Sequence, residues 1–493
     1  MVSGNLAEKL FDEKGDKEPL YSPQALKYTS VSISDVFNNK MRLEANAFNL
    51  QADISKKKVL SNKYGYTYLW SDNGLVKYAY HRPRFKRIYV DRKEIPFYQP
   101  TNISEVYPRP VKHISSKTET DLESLKVRKG MLLMTVSGTI GKVAIAGDKL
   151  DGQVFSHDLL RLEGKEPYDT SYIYTFFLTE TGQNILQSNN YGAVIKHIEP
   201  EHLSNVIIPI APEVLKKEIH ELISKSYDER DKSNHLVDEA ENLLLEELGL
   251  STIEELDIGL SGTQSSIRNY STKLSNLKYR LDSSYHLPIV NAILDKLNKS
   301  AQEVTTIGDK RISSEIILPG RFKRVYVDKE NGIPFFGGKQ LWELNPSNIK
   351  YLSVDQHNNR IGQQLFLRKN MVAVTCSGTI GKVNIIPKHW ENWTLNQHVM
   401  RIVAKTEEMA GYVFSWLNSS FGYNLIVRHT YGSVVDEIDD RHLSQVEIPI
   451  LRDGAKQKKI NDLVLEANDR RYNAYLLEQK AVGLMEEILD SNI

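Results

Sequence analysis

Hydroxyl and lysine side chains set among glycines are the first place to look for chemistry in this chain, and S-G-T-I-G-K-V at Ser137–Val143 has that make-up. A phosphate-cradling loop needs four residues between its first glycine and the Gly-Lys pair, then Ser or Thr and the opening of a helix. Here two residues intervene, Val143 follows, and no helix is expected to open there, which argues against nucleotide binding. Two compatible readings remain. The stretch is a turn whose glycines permit positive φ, or a turn that presents Ser137, Thr139 and Lys142 to a polyanion. The same seven residues return at Ser377–Val383, offering Ser377, Thr379 and Lys382 in the same order.

A second cluster is basic with aromatics interleaved. Arg82, Arg84, Lys86 and Arg87 stand among Tyr80, Phe85 and Tyr89, and the stretch R-F-K-R-I-Y-V-D is answered by R-F-K-R-V-Y-V-D with Arg321, Lys323 and Arg324. On a strand Arg84 and Lys86 point one way while Phe85 and Arg87 point the other. One face can then carry charge onto phosphates or guanine edges while the other enters the core. A charge run is more often only a solvated face; recurrence in both copies brings the functional reading level with that one.

The loops after the shared I-P-F differ: Gln99, Thr101 and Asn102 in one copy face Lys339 and Gln340 in the other. So do Phe155-Ser156-His157-Asp158 and Leu395-Asn396-Gln397-His398, where Asn396 and Gln397 are the candidate contacts. Asn and Gln suit adenine, and Lys or Arg suits guanine. A shared scaffold with divergent polar loops is what two readers of two sequences need. Ordinary drift of surface loops would give the same pattern.

Catalytic arrangements are not found. There is no N-P-P-Y or D-P-P-Y stretch for amino-methyl transfer, no G-x-G-x-x-G loop, no helicase signature and no H-E-x-x-H. Glu478 and Lys480 have an E-x-K spacing, but on an expected helix they project to different sides. No catalytic, cofactor or metal residue is therefore assigned. The single cysteine, Cys376, excludes an internal disulfide and reads as a small core residue.

These motifs belong to a duplication that spans most of the chain, with a shift that drifts only between 237 and 240 positions. H-L-S followed by I-P-I closes each copy, and Tyr191-Gly192 answers Tyr431-Gly432. The 493 residues are 40% hydrophobic and 26% charged, a globular balance, and 63 basic residues cancel 63 acidic ones, so any affinity for nucleic acid must come from local clustering. No apolar run is long enough to span a bilayer and no signal-peptide pattern is read; a reducing, cytoplasmic setting is expected.

Short runs rich in Val, Ile, Tyr and Leu, broken by Gly, Pro and Asn, predict two α/β (α+β) units at 28–210 and 271–450. Residues 1–27 are expected to be a polar arm and 250–270 a connector. Within the units, Tyr172–Gln187 and Tyr412–Val427 each have the spacing of one helix. Residues 211–249 and 451–493 predict long amphipathic helices, each roughly 55 Å if unbroken, that bury their stripes against one another as an antiparallel pair. Their seams are polar at mid-length, which predicts tighter pairing at the ends.

The doubled order resembles the specificity subunit of Type I restriction–modification systems. The resemblance is carried by R-F-K-R-x-Y-V-D, I-P-F, S-G-T-I-G-K-V, I-P-I and Arg280-Leu281-Asp282 with Tyr285, and more weakly by Arg42-Leu43-Glu44 with Phe48. It covers the chain from about Tyr28 onward. It implies that the two units are target recognition domains, each reading half of a bipartite site in double-stranded DNA, and that the helices act as spacer and dock two modification subunits. Those adenine methyltransferase subunits would bind S-adenosylmethionine, this chain holding no cofactor, and restriction subunits would complete the complex. No base-reading residue transfers position by position. A related system with a fused methyltransferase–nuclease partner, and a two-lobed protein scaffold that never touches DNA, are the competing readings.

Overall fold

The computed structural model describes residues 30–38, 41, 48–90, 94–110, 112–189, 197–256, 270–277 and 279–491. The expected N-terminal arm, Arg42-Leu43-Glu44, Tyr191-Gly192 and most of the connector lie outside the described residues.

Among the described residues the first lobe has a short helical turn at Ile33–Asn38, then helix α1 (Leu50–Leu60), and carries ten short strands: β1 (Tyr66–Tyr68), β2 (Val76–Tyr80), β3 (Tyr89–Val90), β4 (Ile95–Tyr98), β5 (Lys112–Ile114), β6 (Leu132–Thr135), β7 (Val143–Ile145), β8 (Val154–Phe155), β9 (Leu159–Gly164) and β10 (Ile207–Pro209). Helices α2 (Pro167–Leu178) and α3 (Glu180–Ser188) sit between β9 and β10, and the long helix α4 (Glu213–Glu247) follows. The second lobe begins with α5 (Pro288–Ser300). Its strands are β11 (Glu303–Thr306), β12 (Ser313–Ile317), β13 (Tyr326–Val327), β14 (Gly332–Phe336), β15 (Lys350–Ser353), β16 (Val372–Thr375), β17 (Val383–Ile385), β18 (Thr394–Leu395), β19 (Val399–Ala404) and β20 (Glu447–Ile450). Helices α6 (Glu407–Asn418) and α7 (Ser420–Val427) precede β20, and the long helix α8 (Gly454–Leu489) follows it.

Lobe 1 forms sheets β2-β9-β6-β7 and β3-β5-β4-β8 and the pair β1-β10; lobe 2 repeats all three orders with every strand ten places on. Even the one parallel pairing recurs, β4 with β8 and β14 with β18. The duplication seen in the sequence is therefore a duplication of topology.

The central strands are buried on both faces, which is why they read as unbroken apolar runs. Leu132 and Met134 of β6 face α2 through Tyr172, Ile173 and Phe176, while Leu133 packs with Tyr98 and Phe155 of the second sheet. In β16 Val372 and Val374 face the helices, and Ala373 faces Phe336 and Trp390.

The single helix expected at Tyr172–Gln187, and its counterpart at Tyr412–Val427, are each two helices. The chain turns out of α2 at Thr179, whose hydroxyl accepts from the Gly182 amide at 3.0 Å and caps α3. Ser419 does the same for α7. The tight corner demands glycine: a Cβ on Gly182 would lie 2.1 Å from the Phe176 carbonyl, and one on Gly422 2.2 Å from that of Trp416. Apolar periodicity runs through both corners, so spacing alone reads them as continuous.

The long helices, 35 and 36 residues or about 52 and 54 Å, pair antiparallel along their length. Lys459 meets Glu239 at 3.0 Å, Arg470 meets Glu229 at 3.2 Å, and the Ser226 hydroxyl donates to the Ala474 carbonyl at 2.8 Å. Ile219, Leu222 and Ile223 join Ala481, Met485 and Ile488 in the core of lobe 1; Val237, Ala240 and Leu244 join Ile460, Leu463 and Val464 in that of lobe 2.

The polar middle is not a loose stretch. Ser226, Asp231, Ser233, Asn234, Asn468, Arg471 and Glu478 are all buried. Arg230 and Glu478 form an ion pair across the seam, with the Tyr174 hydroxyl donating to Glu478 at 2.6 Å. Arg471 donates to the Ser233 hydroxyl and to the Asn384 amide oxygen, both at 3.2 Å, and Asn468 donates to the Ile386 carbonyl at 2.9 Å. Asp231 accepts from the Asp148 amide at 3.1 Å. Polarity at mid-seam thus ties the helix pair to both lobes.

A buried pair broken on one side leaves an uncompensated charge, at a cost of about 3–5 kcal/mol. Glu478→Leu should lower unfolding stability by that amount in a denaturant titration. Replacing the group together, Arg230→Met with Glu478→Met and Tyr174→Phe, should restore most of it.

Candidate nucleic-acid interface

The R-F-K-R segments are extended but, among the described residues, join no sheet until Tyr89 and Tyr326; the strand expected there begins later than the basic residues. The predicted alternation nevertheless holds. Arg84, Lys86, Arg321 and Lys323 are exposed, while Phe85, Arg87, Phe322 and Arg324 are half-buried. Phe85 packs edge-on against Phe97 at 6.3 Å, and Phe322 against Phe335 at the same distance. The inward guanidiniums lie over these rings, Arg87 at 5.5 Å from Phe85 and Phe97, Arg324 at 5.9 and 5.6 Å from Phe322 and Phe335. Each ends on the divergent loop: Arg87 Nη2 lies 2.8 Å from His157 Nδ1, and Arg324 Nη2 donates to Gln397 Oε1 at 2.7 Å. Arg82 is tied down instead, donating to the Ser124 carbonyl at 2.9 Å and lying over Tyr80.

Beneath each divergent loop is a guanidinium that sequence reading passed over. Arg161 and Arg401 are fully buried and bond only to backbone carbonyls, Arg161 to Leu159 at 2.9 Å and Leu125 at 2.8 Å, Arg401 to Val399 at 2.8 Å and Leu365 at 3.2 Å as well as Leu395. Burial pulls Arg161 down to about 10 and Arg401 down to about 9, as expected for a cation out of water without a carboxylate. The signal was available: an arginine inside an apolar strand, repeated 240 positions on. Cys376, buried as expected, adds a backbone hydrogen bond from its amide to the His398 carbonyl at 2.9 Å.

Other expected contacts prove structural. Asn102 is 1% exposed, accepts from the Gln99 amide at 2.8 Å and donates to Glu105 and the Arg109 carbonyl. Gln340 has the same task, accepting from the Gly337 amide and donating to the Ser347 carbonyl. Both hold their loops shut and have no amide edge to spare for a base. Asn396 likewise accepts from the His398 amide at 3.0 Å. Thr101 and Lys339 are exposed, and Gln99 is half-buried.

The S-G-T-I-G-K-V turns join β6 to β7 and β16 to β17, with Gly138, Gly141, Gly378 and Gly381 all at φ between 71° and 84°, so the structural reading of these glycines is correct. Thr139 and Thr379 stand at the exposed tips, and Ser137 and Ser377 are half-buried. The Ser377 hydroxyl and Arg321 both reach Glu437, at 3.5 and 3.2 Å. The two lysines differ: Lys142 is drawn into a contact within the protein, while Lys382 stays exposed as expected. Lys142 forms an ion pair with Glu343 of the other lobe, a residue only 6% exposed, and Lys382 lies 5.6 Å over Trp342.

That pairing belongs to a direct contact between the lobes. Glu105 and Glu343 face each other in an antiparallel bridge, and the Val106 amide donates to the Trp342 carbonyl at 2.7 Å. Arg109 reaches across to the Asn418 carbonyl at 2.9 Å. Burial pushes the Glu105 carboxyl up, opposed by its hydrogen bond from Asn102 and by Lys382. Removing the partner of Lys142 should loosen this contact without harming either core. In Glu343→Ala, amide hydrogen exchange at Val106 should rise at least tenfold while protection of β6 and β16 stays as in the parent.

The model of the Type I restriction modification DNA specificity domain matches residues 27–241 and again 296–470. No curated protein matches the chain. Among solved structures, it is similar to the Type-I restriction-modification system S subunit from M. genitalium, at 11% identity over 86% of this chain and 98% of that one, with a TM-score of 0.31. The HsdS subunit from Thermoanaerobacter tengcongensis is similar at 12% identity over 88% and 100% of the two chains, with a TM-score of 0.26. These superpositions are loose; the two matched segments, which begin in successive lobes, carry the weight. Among the described residues, no helix is long and apolar enough to cross a membrane.

Proposed function

The chain belongs to the Type I restriction modification DNA specificity family, and from that premise we propose that each lobe grips one half of a bipartite site in double-stranded DNA while the helix pair fixes their separation. It is a specificity subunit with two target recognition domains, non-catalytic and of a family that binds no cofactor itself. In the proposed division of labour the domains span 28–210 and 271–450, the helices 211–249 and 451–493 dock two modification subunits, and those subunits bring S-adenosylmethionine for adenine methylation. Restriction subunits join the same complex.

The observation that supports this reading best is one cradle built twice. In both lobes an aromatic pair holds an inward arginine against the divergent loop while two basic residues stay in water. Exposed Arg84, Lys86, Arg321 and Lys323 suit phosphates, with Thr139, Thr379, Ser137, Ser377, Thr101 and Lys339 as lesser contacts. Lys142, Asn102 and Gln340 drop out, being spent inside the protein. A strut of about 52 Å corresponds to roughly one and a half DNA turns. Two weak readers on it bind far more selectively than either alone, because the second engagement is intramolecular.

Each phosphate contact adds about 0.9 to the slope of log K against log salt. Arg84→Ala with Lys86→Ala should therefore lower that slope by about 1.8 and leave the base preferences of the other half-site as they were. A parent slope near zero would favour the protein scaffold, and equal damage to both half-sites would contradict independent readers.

A further inference from the structure

Resting on the reading of each lobe as a DNA reader, we propose that base choice is set by a three-residue relay of polar contacts, of opposite polarity in the two lobes. Lobe 1 ends in a carboxylate acceptor, Asp158, that selects an amino-bearing base edge; lobe 2 ends in an imidazole donor, His398, that selects an acceptor edge such as guanine O6 or N7.

The polarity follows from what each group can do. A guanidinium only donates. Arg87 Nη2 lies 2.8 Å from His157 Nδ1, so that nitrogen accepts and the ring proton sits on Nε2. Nε2 in turn lies 3.3 Å from Asp158 Oδ1, near enough to hold the carboxylate beside the ring without an aligned hydrogen bond, so the chain of polar contacts runs Arg87 to His157 to Asp158 and finishes on an acceptor that is 40% exposed. Burial holds the His157 imidazole below its usual range against the pull of Asp158, with Arg87 and Arg84 acting in the same sense as burial, and the ring is neutral at pH 7.

In lobe 2 Arg324 donates to Gln397 Oε1 at 2.7 Å, which turns the Gln397 amide nitrogen towards His398 Nε2 at 3.1 Å. That ring nitrogen must accept, so the proton sits on Nδ1, which has no protein partner among the described residues. Burial, Arg324 and Arg321 keep this imidazole below its usual range, Glu437 opposing them. The cradle beneath is common to both lobes: the same aromatic pair, and a buried arginine, Arg161 or Arg401, pinning the carbonyls under the loop. At the tip His157-Asp158 stands where lobe 2 has Gln397-His398, and this exchange reverses what the DNA meets.

The test is selection from a randomised duplex pool by the full-length chain, by Asp158→Asn, and by the double variant Gln397→His with His398→Asp, which gives lobe 2 the relay of lobe 1. Asp158→Asn should relax one position of the first half-site roughly tenfold and leave the second unchanged. The double variant should change the preferred base at one position of the second half-site and leave the first unchanged. If the parent enriches a bipartite sequence and both variants select the same bases equally well, the relay is overturned while the DNA reading stands. If the parent enriches no sequence, the DNA reading itself fails. Should the double variant lose the second half-site altogether, the near-isosteric Asp158→Asn decides alone.

Discussion

Neither long helix can bury its apolar stripe by itself, and this constraint shapes the whole molecule. Because α4 leaves lobe 1 and ends in the core of lobe 2, while α8 leaves lobe 2 and ends in the core of lobe 1, pairing the stripes draws both lobes into one closed body. The closure is completed at the far end of α8, where Asn62 donates to the Ile488 carbonyl at 2.6 Å and the Lys63 amide to that of Ser491 at 2.8 Å. The lobes cannot drift apart without exposing both stripes.

An all-apolar seam would tolerate slippage by a helical turn, about 5.4 Å or one and a half base pairs of rise. The buried polar residues forbid it. Arg230 finds Glu478, and Arg471 finds Ser233 and Asn384, in one register only. Polar groups in such positions cost stability and return uniqueness. The contact between Glu105 and Glu343, with Lys142 across it, holds the lobes a second time. Separation is thus fixed both by the strut and by the readers touching each other.

Much of this was legible in the sequence, and the failures have physical causes. The duplicated motifs announced two like lobes, and stripes at spacings of three and four announced the helix pair. The corners at Thr179 and Ser419 were hidden because apolar residues continue through them; the cue was the small capping residue three positions before Gly182 and Gly422. In the sequence Asn102 and Gln340 look like base contacts because an amide suits a base as well as it caps a turn, and residue type does not separate the two. Lys142 looks free for a polyanion in the sequence because its partner, Glu343, lies 201 positions away in the other lobe. Likewise His157, Asp158 and His398 sat in loops marked as divergent, but their order of donors and acceptors exists only once Arg87 and Arg324 are in place.

In the proposed function two unlike readers are held at one separation by a strut that does not slip. Binding of the full-length chain to duplexes carrying both half-sites, with the gap between them lengthened or shortened one base pair at a time, tests it most directly. One preferred gap is expected, with affinity falling steeply on either side of it. Equal affinity across all gaps would contradict it.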